Sequence, residues 1–202
     1  GEQNWDVIII EKNNQIVATF PFFVKKKFIW SLITMPVLTQ NLGPYFIYPK
    51  NQKYQKKLSF EKEIINEIIS QLPSFDNLHL SFHYNITNWL PFYWKNFNSS
   101  LSYTYVIDNL NDLENVYNNL SPSYRNKIKN AQKIVNVKRG LKISDFHKLN
   151  KMTFDRQKIK IRYNLDFLLN HDRIIAENNS REIFYAVDSS KKIHSALYLT
   201  WD

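Results

Sequence analysis

Three glycines, at positions 1, 43 and 140, serve a chain of 202 residues. A phosphate-cradling loop needs clustered glycines, because its backbone N–H groups must approach the ligand where no Cβ intervenes. No stretch here supplies them, and neither a Walker loop nor a nucleophile-elbow pattern is present. The absence of cysteine removes disulfides, thiolate nucleophiles and Cys-ligated metals together, and it fits a reducing cytoplasm.

Hydrophobic periodicity then divides the chain into elements. Asp6 to Lys12 reads as a strand, Asn13-Asn14 as a tight turn and Gln15 to Lys25 as the return strand. The unbroken Val7-Ile8-Ile9-Ile10 run predicts burial on both faces. Phe28 to Thr34 predicts a third strand, stopped by Pro36. Val37 to Pro49 reads as a loop punctuated by Gly43-Pro44. Gln52 to Leu72 keeps helical spacing through Leu58, Ile64, Ile65, Ile68, Ile69 and Leu72, with Pro73 behind it. Leu78 to His83 alternates as a strand, a short aromatic helix follows Pro91, and Ser102 to Ile107 reads as another strand.

Beyond residue 108 the pattern is a short helix over Asp112 to Leu120, a second helix opened by Ser121, and a strand within Val135 to Ile143 bent at Gly140. Next comes a helix from Ser144 through Gln157 with Phe146, Leu149, Met152 and Thr153 inward, then a helix over Leu165 to Glu177. Arg181 to Val187 and His194 to Trp201 pair as a hairpin across Asp188-Ser189-Ser190.

Size and composition are globular: 44% hydrophobic, 15% aromatic, and no run approaching the roughly 18 to 20 apolar residues of a membrane helix. The net charge of +9, from 27 basic and 18 acidic residues, favours anionic partners such as nucleotides, tRNA or acidic lipid. His79 and His83 have a spacing that chelates on a helix. On a strand it leaves them roughly 13 Å apart, so no metal is expected there. Aromatic and basic residues interleave at Trp89, Phe92, Tyr93, Trp94, Lys95 and Phe97, a mixture that either stacks nucleobases or packs a core beside a sheet.

The densest signal is Leu120 to Lys133. Ser121 is a cap and Pro122 takes the first helical position, where its missing N–H is harmless. Tyr124, Ile128 and Ala131 share one face, while Arg125, Lys129 and Lys133 recur every fourth residue on another. From Ser121 to Lys142 the charged residues are all basic. Like charges at that spacing oppose an isolated helix, so the stripe is either a phosphate-facing surface or a solvated helix of a basic protein.

Ser123-Tyr124-Arg125-x-x-Ile128-x-x-Ala131-x-Lys133 resembles the start of the second half of FemAB-like acyltransferases, which carry two GNAT-type domains in tandem. Three further stretches fit the same order: the opening hairpin with Thr19-Phe20-Pro21, then Met35-Pro36-Val37-Leu38-Thr39-Gln40-Asn41-Leu42-Gly43-Pro44-Tyr45, and Thr153-Phe154-Asp155-Arg156-Gln157. The resemblance implies an α/β (α+β) fold, a GNAT-like, mixed but largely antiparallel sheet flanked by helices. It implies a first such domain over residues 1–108, without its leading helices, and the beginning of a second over 109–202, its sheet incomplete at the C-terminus.

The same resemblance implies an acyl- or aminoacyl-transferase in which an acceptor amine attacks an activated carbonyl directly, the protein aligning reactants and stabilising the oxyanion. Acyl-CoA or aminoacyl-tRNA would be co-substrate, with no tightly bound cofactor. Arg125, Lys129, Arg156 and Tyr124 would contact an anionic or nucleotide-linked substrate, Arg125 and Arg156 near a cleft between the domains. A CoA-binding domain of this kind offers a Gln/Arg-x-x-Gly-x-Gly/Ala loop. Gln40 and Gly43 match its first half, and Pro44 and Tyr45 depart from it. Two other readings stand beside this one: a basic module that grips RNA or another polyanion without chemistry, and a degenerate GNAT scaffold.

Overall fold

A computed structural model describes residues 4–107 and 109–201. The protein is a mixed α+β chain that divides into two compact units, one running up to Tyr103 and the other from Thr104. The expected boundary at Asp108 lies outside the described residues, as do both chain ends, Gly1 and Asp202.

In the first unit, β1 (Trp5–Lys12) and β2 (Gln15–Lys27) pair antiparallel across Asn13-Asn14. Both asparagines take positive φ, 51° and 61°, the conformation whose twist suits a two-residue hairpin. β3 (Trp30–Thr34) returns along the far half of β2, so the third strand starts two residues later than predicted; Phe28, at φ 55°, belongs to the turn. β4 (Tyr45–Phe46) adds a short rung on β2. The chain then crosses through α1 (Tyr54–Gln71) and enters β5 (Asn77–His79), parallel to β3. α2 (Leu90–Tyr93) follows, with Pro91 inside its first turn.

The core of this unit lies between the sheet and α1. Ile8 and Ile10 of β1, Ala18, Phe20 and Phe22 of β2, and Ile33 of β3 meet Phe60, Ile64, Ile65 and Ile68 of α1. The expectation that Val7 and Ile9 are also enclosed is corrected: they are 44% and 45% exposed. Side chains alternate faces along a strand, and the core residues all stand on the α1 side of the sheet. Leu78 to His83 forms a strand only to His79, because β3, its hydrogen-bonding partner, ends at Thr34 opposite it. Leu80 and Phe82 still pack against the core without a ladder. One carboxylate enters this core: Glu61 accepts from Tyr48 Oη at 2.7 Å and Asn88 Nδ2 at 3.0 Å, with Lys57 Nζ 3.8 Å away.

In the second unit, α3 (Leu113–Asn119) is capped by Asp112, whose carboxylate accepts the Asn115 N–H. α4 (Pro122–Gln132) is capped by Ser121 as its sequence requires. β6 (Val135–Arg139) stops before Gly140, whose φ of +79° lies in the left-handed region that glycine enters without steric cost. α5 (Ile143–Arg156) and α6 (Leu165–Glu177) precede the hairpin of β7 (Arg181–Asp188) and β8 (Ile193–Thr200). The sheet order is β6-β7-β8, antiparallel throughout.

Two further expectations fail. Residues 102–107 form no strand, and Tyr103 and Tyr105 are fully solvated; apolar alternation makes a strand only where a neighbouring ladder accepts its backbone. Met152 and Thr153 face water while Phe146, Leu149 and Phe154 are half-buried, so the covered stripe of α5 is rotated from the one predicted.

Ile68 is fully enclosed between α1 and the sheet. Ile68→Ala is expected to cost about 2–5 kcal/mol, since the rigid sheet on the far side cannot collapse into the void. Denaturant unfolding of the variant measures it.

Candidate functional site

Ligands of α/β sheets gather outside the carboxyl ends of parallel strands. The parallel pair of the first unit, β3 with β5, has at that end the Met35–Gly43 loop and the segment Leu80–His83. They are packed together: Leu42 N–H donates to Ser81 O at 2.8 Å, and the Ser81 N–H lies 3.3 Å from Met35 Sδ. Gly43 is forced by its neighbour, since a Cβ there would stand 2.4 Å from Phe82 Cδ1. Pro44 has no N–H to give, Tyr45 and Phe46 pair with β2, and α1 begins only at Tyr54. Gln40 is exposed above this arrangement. The loop thus sits where a ligand loop would, with its glycine explained by packing and the Leu42 N–H already engaged.

The basic stripe of α4 resolves into different roles. Arg125 Nη1 donates to Asn118 O at 2.5 Å and to Leu120 O at 2.8 Å. These are carbonyls that the end of α3 leaves without helical partners, so Arg125 clips α3 to α4. Tyr124 is exposed, with Lys127 Nζ 5.0 Å from its ring centroid. Lys129 is exposed, and Lys133 Nζ donates to Asn130 Oδ1. Among the described residues none of these cations meets a carboxylate. Arg156 occupies the last turn of α5, where a cation complements the helix dipole. Its neighbour Asp155 pairs instead with Lys151 at 2.7 Å. Arg125 and Arg156 therefore stand on separate helices, one engaged by backbone and the other exposed.

The aromatic segment divides as well. Phe92 is in the core and packs against Phe82 and Phe97, whereas Tyr93 and Trp94 are more than half exposed. Trp94 carries Lys62 Nζ at 4.8 Å and borders an open groove of about 520 Å³ with Tyr54, Leu58 and Trp89.

Sequence reasoning missed a polar cluster in the second unit. Buried Asp172 accepts from Tyr198 Oη at 3.0 Å and from Arg181 Nη2 at 3.2 Å. Arg181 Nε is 3.0 Å from the same carboxylate, at an angle too bent for a hydrogen bond. Between α5 and α6, His147, Tyr163, Phe167 and His171 form an aromatic series with Asn150 Nδ2 donating to Tyr163 Oη. His147 Nε2 and His171 Nδ1 are enclosed without a protein partner. Burial lowers the His171 pKa, opposed by the charge of Asp172. In sequence each histidine is isolated, and only the i, i+4 step from Phe167 to His171 hinted at a shared helix face.

Asp188, Ser190 and His194 look like a nucleophile relay and are not one. His194 Nε2 lies 2.7 Å from Asp188 Oδ2, while Ser190 Oγ donates to Oδ1 at 2.7 Å. Serine and histidine each bind the aspartate rather than one another, and the Ser190 and Lys192 N–H groups join them. The result staples the β7–β8 turn, and these bonds, His194 first, hold the Asp188 carboxyl below the usual range. No cluster of three His, Cys, Asp or Glu suited to a metal occurs among the described residues, and none of their helices is long and apolar enough to cross a membrane. Comparison with family models, with curated proteins and with solved structures returns no match.

Two outcomes are expected. Gly43→Ala should destabilise the protein by about 1–3 kcal/mol through overpacking, with Phe82→Leu recovering part of the loss in the double variant; thermal melting reads both. His171 is half-buried, and that desolvation lowers its pKa from the ordinary 6.5. Its contribution is therefore complete above 6.5 and lost as pH falls towards its folded value, because the unfolded chain binds the proton more readily. His171→Gln should flatten the decline of melting temperature across roughly pH 7 to 5.

Proposed function

We propose that the chain is a FemAB-like acyltransferase of the GNAT type that passes an aminoacyl or acyl group to an acceptor amine. The order of the four motifs supports this reading, as do two mixed units, each with an antiparallel hairpin sheet and helices. The observation that carries it is the carboxylate-free basic face of α4, with Lys127, Lys129 and Lys133 exposed beside Tyr124. It is a surface for an anionic donor.

Of the two donor classes, this geometry favours aminoacyl-tRNA over acyl-CoA. The Gln40–Gly43 loop has the Leu42 N–H engaged by Ser81, Pro44 in place of a donor, and no helix start behind it. Recognition then falls to side-chain cations, which suit a long polyanion better than a single pyrophosphate. Lys129 and Arg156 serve as the anion-binding groups and Arg125 as the residue that fixes α4 against α3. The amine attacks the activated carbonyl directly, and the protein contributes alignment and charge stabilisation.

A binding module for RNA uses the same face and needs no chemistry. Binding and transfer together separate the two readings. Lys129→Ala is expected to weaken tRNA binding and to lower the slope of log K against log salt by about one. Transfer of a labelled aminoacyl group to an amine acceptor supports the enzyme; salt-dependent binding without transfer supports the module. Stabilisation by acyl-CoA and not by tRNA would reverse the order of donors.

A further inference from the structure

The two hairpin turns of the first sheet are built from opposite residue types. Asn13-Asn14 joins β1 to β2, and asparagine tolerates the left-handed region. Phe28-Ile29 joins β2 to β3, and Phe28 sits at φ 55°, where a bulky side chain is a true outlier and glycine is the usual occupant. Core packing does not compensate: Phe28 is 92% exposed and Ile29 87%. Trp30 follows, half in water. An unfavourable backbone combined with an apolar side chain left in solvent is a combination that folding alone does not select.

Below this apex stands a collar of charge. Lys25, Lys26 and Lys27 are all exposed, opposite Leu32, Ser31 and Trp30 respectively. Side chains alternate along a strand, so Lys26 projects from one face of the hairpin and Lys25 and Lys27 from the other. The acid bonded to this hairpin, Asp76, accepts the Ser31 N–H at 2.7 Å and donates its own N–H to Ser31 O. A groove in a folded partner would meet one face of the tip. An apolar point ringed by ammonium groups on both faces, with a tryptophan at the junction, matches the depth profile of a lipid bilayer instead.

We propose that the β2–β3 hairpin docks the protein on an anionic membrane surface. Phe28 and Ile29 enter the boundary of the acyl chains, Trp30 lies at headgroup level, and Lys25, Lys26 and Lys27 meet lipid phosphates. This site is independent of the transferase reading and stands or falls without it.

Co-sedimentation of the whole chain with vesicles tests it, using pure phosphatidylcholine and mixtures with about one-third phosphatidylserine. Binding is expected to the anionic vesicles and to weaken with salt. Replacing the collar (Lys25→Gln, Lys26→Gln, Lys27→Gln) should reduce affinity about a hundredfold. Phe28→Gly with Ile29→Asn supplies the residues that the turn prefers, so its melting temperature should equal or exceed that of the parent while vesicle binding is lost. Undiminished binding by that variant would overturn the proposal, as would equal affinity for neutral and anionic vesicles. A dimer that forms without lipid and disappears in the Phe28→Gly, Ile29→Asn variant would also overturn it, assigning the tip to a second copy of the chain.

Discussion

Everything in the first unit depends on α1 lying against one face of the sheet. Ile64, Ile65 and Ile68 have no access to water, and they meet Ile10, Phe20 and Ile33, which have none either. Each buried aliphatic side chain of this size is worth about 1.5–3 kcal/mol of transfer free energy. The contact therefore sets which strand residues are interior and which are not. It also places β5, because the chain leaving α1 returns along β3 and makes the sheet's parallel pair. The Met35–Gly43 loop is held at the carboxyl end of that pair by the close approach of Gly43 to Phe82.

Local rules read correctly wherever one element decides its own shape. Asn13-Asn14 between two apolar runs specified a hairpin, and Ser121-Pro122 specified a helix start. The bounds of α6, Leu165–Glu177, follow its periodicity to the residue. Reading failed where a neighbour decides. Val7 and Ile9 are as apolar as Ile8 and Ile10, and nothing in Val7-Ile8-Ile9-Ile10 says that only one side is covered. Residues 102–107 carry strand-like residues but lack a ladder, a fact about the rest of the sheet and not about them.

The candidate site shows the same division. Sequence singled out Gly43 and Arg125 as unusual, yet their reasons are spatial. Phe82, almost forty places along the chain, explains the glycine, and the carbonyls of Asn118 and Leu120 explain the arginine. The stripe of Lys129 and Lys133 was legible because helical spacing fixes it. The cluster of Asp172, Arg181 and Tyr198 was not, because its members come from a helix and two strands that meet only in the folded unit.

The parallel pairing of β3 with β5 also has a temporal side. Ser31 and Asp76, which bond across it, are separated by 45 positions, whereas β1, β2 and β3 are joined by two-residue turns. Hairpins of that kind close in microseconds, and a long crossover pays its loop-closure entropy later. During synthesis the meander is complete before α1 has left the ribosome. For that interval Ile8, Ile10, Phe20 and Phe22 form a sheet face without a cover, and the nascent chain is most open to misassociation in the seconds before Ile64 to Ile68 arrive.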